Sequence, residues 1–71
     1  MGKDKKMKLT FVLNTEGGVK RAGCRASGVY KGYHIERTAT CPYENFPDMQ
    51  GQLEMVAKGR YNAECRTIDA L

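Results

Sequence analysis

The chain has 71 residues, a net charge of +4, 41% hydrophobic and 28% charged residues, four Tyr, two Phe and no Trp. A chain this short forms one domain and buries only about 60% of the surface its unfolded form exposes, which leaves no room for a catalytic cleft beside a substrate domain. Its apolar content is too high for a disordered tail, and no apolar run approaches the ~20 residues that span a bilayer.

Charge is unevenly spread. Residues 1–37 hold nine Lys or Arg against three acids, net +6, and residues 38–71 hold three against five, net −2. The front half therefore sets up a positive field on whichever face it occupies. Cys24, Cys41 and Cys65 are odd in number and lie 17 and 24 residues apart. That is not the dense, even set of a small secreted domain, so buried reduced thiols are expected. Zinc takes four ligands, usually in close pairs, and three lone Cys with the single His34 form no such site. No metal or cofactor is expected.

In chain order, residues 1–6 (MGKDKK) read as a basic leader ahead of a single domain over 7–71. Met7 opens MKLTFVLN, itself a natural start. The leader is a solvated tail or a basic arm that adds sequence-independent affinity for phosphates. It lacks the apolar core of a signal peptide, and a cytoplasmic protein is expected. Lys8–Asn14 is the first strand, with Leu9, Phe11 and Leu13 on one face and central to the predicted core. Thr15-Glu16-Gly17-Gly18 reverses the chain. It is no phosphate loop, since neither Lys-Ser/Thr nor a helix start follows the glycines.

Val19–Tyr30 is a second strand, weakened by Gly23 and Gly28, which mark a bulge or a close backbone approach. From Tyr33 the residues alternate, with Tyr33, Ile35, Ala39 and Cys41 on one side and His34, Glu36, Thr38 and Thr40 on the other. This is a third strand with one buried face. Arg37 interrupts that face and places the middle of the strand near an edge or opening. Lys31-Gly32 turns the hairpin. Lysine resists positive φ, so a loose turn with only Gly32 in the left-handed region is expected. His34 falls on the polar side and reads as surface. In the loop between Pro42 and Pro47, Tyr43 and Phe46 are too apolar for free solvent; they fold on the core or meet a partner.

Asp48–Lys58 is the predicted helix, with a stripe of Met49, Leu53, Val56 and Ala57, a cap at Asn45 or Asp48, and Gly59 as its end. Gly51 costs this helix about 1 kcal/mol. In a rival reading Leu53–Ala57 is a strand turned by Lys58-Gly59. Arg60–Leu71 alternates as a last strand, with Tyr61, Ala63, Cys65 and Thr67 on one side; a helix capped by Asn62 is the alternative. The expected architecture is α+β, a four-stranded antiparallel sheet in the order β-β-β-α-β with one helix on one face. A five-stranded small barrel is the alternative.

No paired carboxylates, nucleophile with base, or ligand cluster is legible, so no enzymatic activity is expected. The leading expectation is a small protein-binding module, an inhibitor or modulator of a larger protein or nucleoprotein complex of phage or plasmid type. The other is a nucleic-acid binder in which Lys20, Arg21, Arg25, Lys31 and Arg37 neutralise phosphates while Tyr30 and Tyr33 stack on bases. For a protein partner, Tyr30, Tyr43 and Phe46 are the candidate anchors. A bare sheet edge also admits a strand-paired homodimer.

Overall fold

A computed structural model describes residues 7–71; the predicted leader lies outside the described residues. Three strands, β1 (Lys8–Glu16), β2 (Val19–Tyr30) and β3 (Tyr33–Pro42), form an antiparallel sheet in the order β1-β2-β3. A 3-10 turn over Tyr43–Asn45 leads into one helix, α1 (Phe46–Asp69), of 24 residues. At 1.5 Å per residue α1 is about 36 Å long, close to the 39 Å long dimension of the molecule. The fold is α+β, as expected, with three strands rather than four, and the sheet is open rather than a barrel.

The predicted last strand does not form; residues 60–69 continue the helix. Their alternation hid a second period. Leu53, Ala57, Tyr61 and Cys65 are all buried and recur every fourth residue, so the stripe runs straight through Gly59. Nothing lies within 4 Å of where a Cβ on Gly59 would sit, and its position in the helix carries only a propensity cost. Asn45 is the N-cap residue, without a side-chain cap bond.

Both hairpins close on two residues with positive φ: Gly17 at 58° and Gly18 at 83°, Lys31 at 51° and Gly32 at 85°. This is the turn whose twist matches the flanking strands. Lys31 therefore does enter the left-handed region, against expectation. Its Nζ sits 2.7 Å from Asp69 Oδ1 at the helix end, a contact that helps hold the turn.

The helix lies over β2 and β3 and leaves β1 largely uncovered. On the helix side β2 presents Ala22, Cys24 and Ala26, all buried, and these small side chains let the helix approach closely. The core joins Cys24, Ala26 and Tyr30 to Ile35, Ala39 and Cys41 of β3 and to Leu53, Ala57, Tyr61 and Cys65 of α1. All three cysteines are buried and free, as expected. Two expectations about the core fail. The Leu9-Phe11-Leu13 face is peripheral, because the helix does not reach over it. Val56 is exposed, because the stripe continues through Tyr61 and turns Val56 outward.

Candidate functional site

Two-residue hairpins determine which backbone groups face outward. The pair flanking such a turn exchanges both hydrogen bonds, and hydrogen-bonded pairs then alternate along the ladder. Glu16 pairs with Val19, so Lys8, Thr10, Val12, Asn14 and Glu16 direct their N–H and C=O groups to β2. Leu9, Phe11, Leu13 and Thr15 direct theirs away from the sheet. By the same count from Tyr30 and Tyr33, the outward residues of β3 are His34, Glu36, Thr38 and Thr40.

The two edges differ. On β3, the carbonyl of Glu36 accepts from Arg37 Nη1 at 2.8 Å, that of Thr38 from Arg60 Nη1 at 3.1 Å, and that of Thr40 from Arg21 Nη2 at 3.3 Å. Three guanidinium groups thus occupy this edge, a device that discourages strand addition. On β1, no side-chain hydrogen bond reaches an outward carbonyl among the described residues.

The bare edge also carries the largest apolar exposure on the sheet. Phe11 is 55% and Leu13 57% exposed on the helix side of β1, while Leu9 is half-buried against the core. Phe11 meets Phe46 edge to face at a centroid distance of 5.2 Å. Further along, Leu13, Asn14, Thr15, Lys20 and Tyr43 surround a shallow hollow of about 290 Å³. Lys20 Nζ lies 6.0 Å from the Tyr43 ring centroid, at the limit of cation–π range.

The nine residues singled out from the sequence divide into three groups. Lys20, Tyr43 and Phe46 do come together, along the β1 side of the helix face. Arg21 and Arg25 lie on the opposite, uncovered face of the sheet, near Glu16 at 3.9 Å and Glu36 at 3.8 Å respectively. Both pairs are long and have an exposed carboxylate, the kind that contributes little. Tyr30, Lys31, Tyr33 and Arg37 lie on the helix side at the other end, where they mostly hold the helix. The Tyr30 hydroxyl donates to Asp69 at 2.9 Å and 3.1 Å, and Arg37 Nη2 pairs with Glu64 at 2.6 Å. Bonding to the Asp69 carboxylate, followed by burial, raises the Tyr30 pKa above its ordinary value. Tyr30 is thus buried and occupied, and only Tyr33 of the hairpin tip keeps an exposed ring.

Sequence reasoning missed Phe11 and Leu13, having assigned them to the core. No sequence signal marked them, because alternation shows that a strand has an apolar side and not whether an element covers it. Among the described residues there is no cluster of His, Cys, Asp or Glu able to hold a metal ion, and no helix long and apolar enough to cross a membrane. No family model matches the chain, and no curated protein or solved structure matches it.

Proposed function

We propose that this is a small, non-catalytic protein-binding module that takes an extended segment of its partner as a further strand on β1. It would act as an inhibitor or modulator by covering its partner's surface. One observation carries the reading: Phe11 and Leu13 stand more than half exposed on the only sheet edge without guanidinium protection among the described residues. Strand addition draws affinity from backbone hydrogen bonds and specificity from alternate side chains, and β1 offers both. The Tyr43–Lys20 corner extends that surface.

Panning a library of extended peptides on the immobilised protein tests this. Selected peptides should alternate apolar residues, lose at least tenfold in affinity against L13K, and lose binding when alternate peptide nitrogens are methylated. Peptides indifferent to both changes, or no selection at all, would overturn the reading.

A second reading, nucleic-acid binding, is favoured by the grouping of Lys8, Arg21 and Arg25 with Thr10, Ser27 and Thr38 on the uncovered sheet face. Such a face would contact phosphates through its cations, without base stacking from Tyr30 or Tyr33, which lie on the helix side. Anisotropy of labelled duplex and single-stranded probes at low and physiological salt tests it. Binding with a steep salt slope that R21E/R25E abolishes is the expected result, and no binding at low salt counts against it.

A further inference from the structure

We infer that the occupant of the β1 edge is a second copy of this chain, with the two β1 strands antiparallel and Val12 on the two-fold axis. The inference rests on the strand-addition reading above and names the partner of that same edge.

The strand is self-complementary in this register. A two-fold axis normal to the sheet pairs residues whose numbers sum to an even value; with Val12 on the axis, the whole of Lys8–Glu16 overlaps its copy. Lys8 then stands opposite the partner's Glu16, and Glu16 opposite the partner's Lys8. Phe11 stands opposite the partner's Leu13 on the helix side, so the most exposed apolar residues of β1 cover one another. Glu16 at present has only the 3.9 Å contact with Arg21, and Lys8 has no carboxylate partner among the described residues.

Backbone geometry agrees. Leu9, Phe11, Leu13 and Thr15 face outward, and in this register Leu9 meets the partner's Thr15 and Phe11 the partner's Leu13. The four resulting pairs exchange about eight hydrogen bonds. Val12 and both Lys8–Glu16 pairs occupy non-hydrogen-bonded positions, where opposed side chains approach most closely. Sliding the copies by two residues, with Phe11 on the axis, would set Lys8 against the partner's Asn14 and leave the charges unmatched. The β3 edge offers no equivalent, since three arginines occupy its carbonyls. The product is a six-stranded sheet, β3-β2-β1-β1-β2-β3, with both helices on one side.

Sedimentation from about 1 µM to about 500 µM should show a monomer–dimer equilibrium, as suits a small interface. K8E and E16K should each weaken the dimer about tenfold, because both cross-strand pairs become repulsive. An equimolar mixture of the K8E and E16K chains should recover it as a heterodimer, in which every opposed pair is again of opposite sign. Val12→Cys should form an intermolecular disulfide under mild oxidation. A monomer at every concentration, with no V12C cross-link, would overturn the inference. So would a dimer unmoved by the charge reversals. If peptides are still selected on β1 in those cases, strand addition stands with another occupant; if none is, both readings fall together.

Discussion

Gly23→Ala should be strongly destabilising. A Cβ at Gly23 would lie 1.9 Å from the Ala39 carbonyl oxygen, 2.7 Å from Thr40 Cα and 2.9 Å from the Ala39 carbonyl carbon. All three are backbone atoms of β3, so no side chain can rotate away. Real Cβ atoms essentially never come within 3.0 Å of such neighbours, so β3 must retreat by at least 1.1 Å, the difference between 3.0 Å and 1.9 Å. That shift stretches the adjacent ladder bonds beyond hydrogen-bonding distance, at about 1 kcal/mol each for two or so bonds. Overpacking adds about 1–3 kcal/mol, for a total of about 3–5 kcal/mol. A domain of this size has about 4–10 kcal/mol of stability in all, so the variant should be marginal or unfolded. Gly51→Ala is the matched control: the same methyl meets nothing within 4 Å in α1 and should stabilise by about 0.5–1 kcal/mol. Urea titrations followed by far-ultraviolet circular dichroism give both values. A G23A midpoint equal to wild type would refute the close approach of β2 and β3.

Tyr61 is fully buried, and its hydroxyl has no hydrogen-bond partner among the described residues. Tyr61→Phe should therefore be neutral or stabilising by about 1 kcal/mol in the same urea assay, and a loss of more than 1 kcal/mol would show that the hydroxyl is satisfied. Burial, with the nearby Glu54 charge, raises the Cys24 thiol pKa above its ordinary 9.0. Burial, with Cys65 nearby, likewise raises the Tyr61 phenol above 10.0, and Tyr30 shifts the same way. These groups keep their protons in the folded state while the unfolded chain releases them. Stability should therefore hold below about pH 9 and fall as pH rises through 9–10 toward the raised values. Part of the phenolate absorbance should then appear only with unfolding, and a urea midpoint constant up to pH 11 would contradict the shifts. Arg60→Ala frees the outward carbonyl of Thr38, where Arg60 Nη1 now donates at 3.1 Å. The variant should change stability by less than about 0.5 kcal/mol yet scatter more light at high concentration, and unchanged scattering would show that the arginines do not guard β3.

Local rules were sufficient for much of this molecule. The three strands and the positions of both reversals follow from period-two alternation and from Gly17-Gly18 and Lys31-Gly32, all contacts between neighbours in sequence, although the left-handed conformation of Lys31 does not. The burial of Cys41 and the closeness of chains at Gly23 were legible for the same reason, whereas Cys65 is buried on a helix and not on the strand its alternation suggested. The final segment was not, because Tyr61, Ala63 and Cys65 satisfy an alternating pattern while Leu53, Ala57, Tyr61 and Cys65 satisfy a helical one. Only packing across the small side chains Ala22, Cys24 and Ala26 decides between them. The same packing settled where the helix lies across the sheet. An alternating Leu9-Phe11-Leu13 face says that a strand has an apolar side; it does not say whether anything covers it. That depends on the lateral position of α1, held over β2 and β3 by Tyr30–Asp69, Arg37–Glu64 and the row from Leu53 to Cys65. These links join residues more than twenty positions apart, beyond what residue type and spacing can specify.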